Sequence, residues 1–165
     1  MAALKAGVPA PDFTLPLLDG SQFSLAQARQ SGPVVLAFFK VSCPVCQYAF
    51  PFIERLHRGY LGKTAAIIGV SQDDKRDTAA FRKEFGITFP VALDERKQYP
   101  VSNAYGLTNV PTVFLISQGG VIEVSSVGWA RREVAEINSK IAAALPAGEA
   151  PLFRPGEEVA EWKAG

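Results

Sequence analysis

The sequence predicts an α/β fold, in which a central mixed β-sheet is flanked by helices. Three observations favour it: continuously apolar segments of strand length, amphipathic segments of helix length between them, and a glycine-linked pair of β-rich segments near the end. Alternating strands and helices are typical of parallel strands covered on both faces, and a hairpin adds antiparallel strands. The 165 residues suffice for one domain with a substantial core.

The first predicted elements are short. Residues 12–15 and 21–24 look like strands around the turn signal Asp19-Gly20, which indicates an N-terminal β-hairpin extension. Residues 34–39 are continuously apolar and rich in β-formers. Such a run is typical of a strand that is buried on both faces.

An amphipathic helix is predicted next, because apolar residues recur at helical spacing. Pro44 suits the first turn of this helix, where a missing N–H matters least. Pro51 lies inside the helix and is expected to kink it. The apolar positions are Val45, Tyr48, Ala49, Phe52, Ile53 and Leu56.

The alternation then continues to the end of the domain. We predict a buried strand over 65–70, a helix over 74–85 that ends at Gly86, and a short strand over 89–93. Residues 112–116 and 121–125 form a predicted hairpin, and a last helix carries Val134, Ile137, Ile141 and Leu145. We predict one domain over 1–145. Residues 146–165, rich in Pro, Gly and Glu, are expected to form an irregular tail that either packs as an arm or stays mobile.

Composition excludes several classes of partner. Net charge is +1 and the Lys and Arg residues are scattered, whereas nucleic acids and anionic membranes need a concentrated basic face. No apolar run approaches the roughly 18 residues of a membrane span. The N-terminal residues lack a signal-peptide pattern. We therefore expect no nucleic-acid partner, no membrane span and a cytoplasmic location, or a periplasmic one if a leader has been removed.

The only two cysteines lie between the predicted strand and helix, as Cys43-Pro44-Val45-Cys46. A disulfide between them would close a very short loop, so it would add little stability and is better suited to being made and broken. A zinc site is the alternative, but zinc needs at least three protein ligands. The single histidine, His57, is 11 residues after Cys46, or about 16 Å along an unbroken helix. The sequence therefore favours a redox-active dithiol and no metal.

The chain resembles the thioredoxin superfamily, and within it the redoxin branch, which covers TlpA-type thiol:disulfide oxidoreductases and AhpC/TSA-type peroxiredoxins. The resemblance extends from about Gly7 to Leu145 and implies a thioredoxin-like fold. Its motifs are an N-terminal segment at 7–15, the strand–CxxC–helix segment at 38–46, the helix proline Pro51, the second strand and turn at 69–74, and a cis-proline segment at 105–116.

The resemblance implies a role for each residue of the site. Cys43 is the expected nucleophile, since thiolates at helix N-termini attack disulfides, and Cys46 is the expected resolving thiol. Pro111 is expected to be cis and to expose the backbone of Val110, with which an extended substrate could pair. Pro44 and Val45, between the cysteines, are expected to contact substrate. No cofactor is implied.

Two further residues have open interpretations. Lys40, three residues before Cys43, would either favour the Cys43 thiolate or simply extend its ammonium into solvent from a strand end. Trp129 follows a glycine that resembles the turn bordering the substrate groove, so it is either a binding platform or a packed aromatic residue.

Three positions depart from the pattern of the family. Ser42 stands where many relatives have Trp, Ala37 stands at the buried acid of thioredoxin, and Ala49 stands where TlpA-type reductases often carry Glu. Both usual proton acceptors for the resolving cysteine are therefore missing.

Three functions are compatible with these patterns. The leading hypothesis is a thiol:disulfide oxidoreductase that acts on protein or small-molecule disulfides, with an unidentified thiol electron donor. The alternative is a thiol peroxidase with antioxidant activity, in which Cys43 is the peroxidatic residue. A third possibility is a thioredoxin-like binding module whose dithiol is vestigial.

Overall fold

The chain adopts the predicted α/β fold in a computed structural model, which describes residues 2–94 and 97–165. Five strands form the central sheet and helices cover it. The elements are β1 (Thr14–Pro16), β2 (Gln22–Ser24), α1 (Leu25–Ala28), β3 (Val34–Phe39), α2 (Pro44–Gly59), β4 (Ala66–Ser71), α3 (Lys75–Glu84), β5 (Val91–Leu93), α4 (Pro100–Ala104), β6 (Thr112–Ile116), β7 (Ile122–Val127), β8 (Trp129–Ala130), α5 (Arg131–Ala144) and β9 (Trp162–Lys163).

The central sheet is mixed and has the strand order β5-β4-β3-β6-β7. Its middle strand, β3, pairs in parallel with β4 and antiparallel with β6. All six residues of β3 are buried, as the continuous apolar run predicts. β1 and β2 form a separate antiparallel hairpin, so the predicted N-terminal extension is confirmed.

Alternate residues of β3 contribute to two cores, one on each face of the sheet. Val35, Ala37 and Phe39 belong to the larger cluster, which includes the apolar faces of α2 and α5. Val34, Leu36 and Phe38 belong to the smaller cluster, beside the N-terminal hairpin and Tyr105. Because successive side chains of a strand point to opposite faces, one strand anchors both cores.

Two short helices, α1 and α4, were not predicted from the sequence. A helix of four or five residues is too short to show apolar periodicity. Side-chain hydrogen bonds to amides of their first turns hold them instead, from the N-cap residue in α1 and from a residue outside the helix in α4, whose N-cap residue Tyr99 makes no such bond. Ser24 accepts a hydrogen bond from the Gln27 amide, and the Asp94 carboxylate accepts hydrogen bonds from the amides of Val101 and Ser102.

The tail, residues 146–165, packs as an irregular arm rather than remaining free. Ala150 and Leu152 are buried in the larger core. Asn138 of α5 binds both backbone groups of Ala150 and accepts a hydrogen bond from the Tyr60 hydroxyl. The last strand, β9, then pairs antiparallel with β8. None of the helices within the described ranges is long and apolar enough to cross a membrane.

Candidate active site

Cys43 is the N-cap of α2, at the carboxyl end of the central strand β3. Its sulfur accepts a hydrogen bond from the amide of Cys46 at 3.1 Å, and its side chain is half-buried. The first amides of a helix lack partners within the helix, and the positive end of the helix dipole lies there. The position therefore stabilises negative charge on a sulfur that remains accessible.

Cys46 lies one turn further into α2 and is fully buried. Burial raises the pKa of Cys46, and its interaction with the Cys43 thiol adds to the rise, while a backbone interaction with Lys40 opposes it. Ala37 and Ala49 belong to the same buried cluster, so the positions where relatives carry acids contribute only apolar surface. Cys46 is therefore a protonated thiol behind an accessible one. Both thiols are free in this structure.

The Val110–Pro111 peptide bond is cis, as the motif predicts. Its loop lies against the dithiol, since the Cys43 thiol donates to the Val110 carbonyl at a sulfur–oxygen distance of 3.4 Å. The Thr112 hydroxyl donates to the Asn109 carbonyl at 2.8 Å and links the loop to the start of β6. Residues far apart in the sequence thus meet at Cys43.

Two polar side chains that the sequence did not reveal hold the segment before Cys43. The Asp73 carboxylate accepts a hydrogen bond from the Val41 amide at 2.8 Å, and the Gln47 amide donates to the Val41 carbonyl at 2.9 Å. The neighbouring Asp74 has a different role, since it caps α3 by accepting a hydrogen bond from the Asp77 amide. The signal was available: Asp73 follows β4, whose carboxyl end adjoins that of its parallel neighbour β3.

Lys40 is exposed at the end of β3, and its carbonyl accepts a hydrogen bond from the Cys43 amide at 3.2 Å. Within the part of the chain that the structure describes, its ammonium makes no hydrogen bond or ion pair. Pro44 is exposed and Val45 is half-buried beside Cys43. These two residues therefore offer surface to a bound substrate.

Trp129 does not fit the prediction of a binding platform in this structure. Its side chain is only 1% exposed, and its indole N–H donates to the Ala160 carbonyl at 2.6 Å. Its ring packs against Tyr48 and Phe52 of α2. Trp129 is thus the packed aromatic residue of the two interpretations, because the tail covers it.

The end of the tail also covers the edge that was expected to receive substrate. A Cβ atom on Gly165 would lie 2.6 Å from the Val110 oxygen, and one on Gly128 would lie 2.5 Å from the Lys163 oxygen. The Asn109 side-chain amide donates to the Gly165 oxygen at 3.2 Å. The backbone of the tail therefore touches both the cis-proline loop and the Gly128 turn.

The described residues contain no cluster of three or more His, Cys, Asp or Glu side chains that could hold a metal ion. His57 is half-buried on α2, where burial lowers its pKa. Its ring lies beside Phe89, with a distance of 6.0 Å between ring centroids.

A sequence profile of the AhpC/TSA family matches residues 6–125. The chain belongs to this family. One relative in it is the thiol-disulfide oxidoreductase ResA of Geobacillus thermodenitrificans, 33% identical over 132 residues, which are 79% of this chain and 74% of that protein. This AhpC/TSA-family chain is also similar to a solved structure from Bacteroides thetaiotaomicron, that of a protein proposed to be a protein disulfide isomerase. The TM-score is 0.79 at 29% identity, covering 90% of this chain and 96% of the other.

A third relative comes from the peroxidase side of the AhpC/TSA family. It is a protein of Mycobacterium tuberculosis proposed to be a peroxiredoxin, 30% identical over 133 residues, which are 74% of this chain and 84% of that protein. The thioredoxin-like fold and the redoxin branch are thereby confirmed. The likeness to thiol-disulfide oxidoreductases is the stronger of the two.

Proposed function

We propose that this AhpC/TSA-family protein is a thiol:disulfide oxidoreductase in which Cys43 attacks the substrate and Cys46 resolves the intermediate. One observation carries the assignment of roles. The Cys43 sulfur is accessible and accepts a hydrogen bond from the Cys46 amide at a helix N-terminus, whereas the Cys46 thiol is buried directly behind it. The similarity to ResA supports the class of reaction.

The reaction follows from this geometry. The Cys43 thiolate attacks one sulfur of a substrate disulfide, forms a mixed disulfide and releases the other sulfur as a thiolate. Cys46 then attacks the Cys43 sulfur, and the second half of the substrate leaves. Two electrons pass from the dithiol to the substrate, and the protein ends with a Cys43–Cys46 disulfide. A thiol electron donor, not yet identified, would restore the dithiol by the reverse exchange.

The assignment of roles is tested by trapping. Reduced Cys46→Ser protein, mixed with a small disulfide, should accumulate a stable mixed disulfide on Cys43, because the resolving thiol is absent. Mass spectrometry of the digested protein locates the adduct. The Cys43→Ser variant should form no adduct and have no exchange activity, and retention of full activity by it would contradict the assignment.

A peroxidase is the second candidate, and the similarity to the peroxiredoxin-like relative favours testing it. Two features oppose it: Lys40 occupies the position where peroxiredoxins place Thr or Ser, and the Val110–Pro111 segment occupies the region where they usually carry Arg. Stopped-flow oxidation of the reduced protein by hydrogen peroxide separates the two functions. We expect a rate constant close to that of free cysteine, and a much larger one would favour the peroxidase.

A further inference from the structure

A polar cavity of about 210 Å³ lies beside the active site, at the carboxyl ends of β3 and β4. It is smaller than the roughly 300–1,000 Å³ of pockets that hold drug-sized ligands. Its volume suits a group of about the size of one amino acid. Its wall includes Lys40, Gln72, Ser102, Asn103, Asn109 and Val110.

Two residues of this wall contact the nucleophile directly. The Lys40 carbonyl accepts a hydrogen bond from the Cys43 amide at 3.2 Å, and the Val110 carbonyl lies 3.4 Å from the Cys43 sulfur. A molecule held in the cavity therefore lies next to the position where a mixed disulfide on Cys43 would form.

The described residues of the cavity wall contribute a positive charge. Among the described residues of the lining, Lys40 is the one with a formal charge, and its ammonium has no partner within the described ranges. The nearby Asp73 carboxylate is outside the lining and accepts a hydrogen bond from the Val41 amide. The buried Asp94 carboxylate beneath the wall accepts hydrogen bonds from the Val101 and Ser102 amides and from the Ser102 hydroxyl.

The other polar groups of the wall are held in fixed positions. The Gln72 side-chain amide donates to the Ser102 hydroxyl at 2.9 Å, and that hydroxyl donates to Asp94 at 2.7 Å. The Asn103 amide donates to the Gln98 carbonyl at 2.7 Å. Among the described residues, fixed polar groups beside the free Lys40 ammonium favour the binding of a small polar anion.

No described residue of the tail lines this cavity, although Asn109 of the wall donates to the Gly165 oxygen at 3.2 Å. The tail lies against Val110 from the side of Gly128, which follows β7, whereas the cavity lies beside the ends of β3 and β4. The sheet has the strand order β5-β4-β3-β6-β7, and Val110 lies in the loop just before β6. The tail therefore lies on the β7 side of β6, and the cavity lies on the β3 side. In this structure, extended polypeptide is thus hindered at one side of Cys43, while a small molecule can approach from the other.

We propose that the cavity is a subsite for the carboxylate of a small disulfide substrate whose halves are about as large as an amino acid. The proposal rests on the proposed function and specifies its substrate class. The carboxylate pairs with the Lys40 ammonium, and the adjoining disulfide meets Cys43. One substrate disulfide becomes two thiols, while the Cys43 and Cys46 thiols become a disulfide, so two electrons and two protons are transferred.

The test compares three small disulfides that differ in charge: anionic dithiodiglycolate, neutral bis(2-hydroxyethyl) disulfide and cationic cystamine. Stopped-flow measurements give the rate constant of the reduced protein with each. Dividing each value by the rate constant with free dithiothreitol removes differences in intrinsic reactivity. We expect the corrected constants to fall from the anionic to the neutral to the cationic probe, and the differences to shrink as salt is added.

Two substitutions test whether the preference for the anionic probe arises in the cavity. Lys40→Gln should lower the anionic-to-neutral ratio by up to about fivefold, the upper end of the range expected for an exposed ion pair. Asn103→Asp, which keeps the size of the side chain and adds a negative charge to the wall, should lower the ratio further and favour cystamine. Lys163→Gln is the matched control, because Lys163 lies over the Tyr48 ring, outside the cavity wall. It should leave the ratio unchanged.

The possible outcomes separate the subsite from the catalytic function. If Lys40 only assists the Cys43 thiolate, Lys40→Gln slows all three probes equally, and the subsite is overturned. Equal ratios in the wild type, or equal losses in Lys40→Gln and Lys163→Gln, also overturn it. A charge preference seen only with peptide disulfides that carry Glu rather than Gln beside the cystine would assign the cavity to protein substrates and overturn the small-molecule class. If a protein disulfide is reduced but no small probe reacts, the subsite is overturned; if neither reacts, the proposed function itself fails.

Discussion

The two cysteines have different roles because they have different surroundings. The Cys43 sulfur accepts a hydrogen bond from the Cys46 amide at a helix N-terminus and is half-buried. Cys46 is enclosed by apolar side chains, and this burial raises its pKa. Only the thiolate is nucleophilic, so Cys46 reacts when the Cys43 sulfur is already held beside it in a mixed disulfide. The order of the two steps is therefore built into the site.

This difference predicts selective alkylation. Iodoacetamide at pH 7 should modify Cys43 first and Cys46 more than about tenfold more slowly, since each unit of pKa rise lowers the thiolate fraction about tenfold. Peptide mapping of samples quenched over time measures both rates. Unfolding in urea should make the two rates similar. Faster modification of Cys46 in the folded protein would contradict the proposed order.

A second residue with a shifted pKa is Glu157 of the tail. The Arg55 guanidinium makes two hydrogen bonds of 2.7 Å to its carboxylate and lowers the pKa of Glu157 to about 2. Because this pKa is depressed, the ion pair stabilises the packed tail above the ordinary value of 4.5, and that contribution declines as the pH falls toward 2.

The titration of Glu157 can be measured by NMR of its side-chain carboxyl carbon. We expect a midpoint near 2 in the wild type. In Arg55→Gln protein, the midpoint should rise toward the ordinary value, because the main cause of the depression has been removed. Midpoints that are the same in both proteins would show that Arg55 does not hold this carboxylate.

At the scale of elements, helix α2 is attached to the segment before β5 by one buried carboxylate. Glu54 accepts hydrogen bonds from the Thr88 amide at 2.8 Å, the Thr88 hydroxyl at 2.6 Å and the Arg58 guanidinium at 2.7 Å. Burial alone would raise the pKa of Glu54, but these hydrogen bonds outweigh it and lower the pKa. The contact helps to fix the helix that presents Cys43.

Glu54→Gln should therefore destabilise the protein by about 1–3 kcal/mol at pH 7, since an amide offers one acceptor oxygen in place of two. Urea denaturation measures the loss. The depressed pKa means that the wild-type advantage is present above 4.5 and is lost as the pH falls below it, so the difference should narrow at low pH. Arg58→Gln is the control, because its exposed side chain should contribute at most about 1 kcal/mol. Equal stabilities of Glu54→Gln and wild type would contradict this role.

The sequence allowed most elements to be predicted, and physical reasons explain the rest. The apolar run at 34–39 coincides with β3, and the cis-proline segment coincides with the start of β6, because both have strong local patterns. Glu54 and Asn138 act through contacts with distant segments, so a local pattern could not reveal their partners. The burial of Trp129 likewise depends on a distant segment, because the tail residue Ala160 packs over it.

At the scale of the whole molecule, the tail connects the core to the active site. It begins with the buried residues Ala150 and Leu152, pairs with β8 through β9, and ends against Val110 and Gly128. Between these contacts, the Tyr48 hydroxyl accepts a hydrogen bond from the Ala160 amide at 2.9 Å and fixes the tail against α2. A substrate strand that pairs with the Val110 edge must displace the last residues of the tail.

Removal of residues 161–165 should therefore increase the reactivity toward protein disulfides. The Ala160 contacts with Tyr48 and Trp129 remain in the shortened chain, so the core should stay folded, which circular dichroism checks. We expect a severalfold faster reduction of a protein disulfide and an unchanged rate with bis(2-hydroxyethyl) disulfide. Equal rates of the full and shortened chains with the protein substrate would show that the tail does not hinder access.

A redox titration of the Cys43/Cys46 pair tests whether these two cysteines form a reversible redox couple. The protein is equilibrated in graded thiol–disulfide buffers, alkylated and analysed by mass spectrometry. We expect one reversible two-electron transition between the dithiol and the Cys43–Cys46 disulfide, within the range of about −270 to −120 mV spanned by thioredoxin-like couples. A value near the lower end would indicate a reductant, and one near the upper end an oxidant. Two thiols that stay reduced across all buffers would show that Cys43 and Cys46 are not a redox couple.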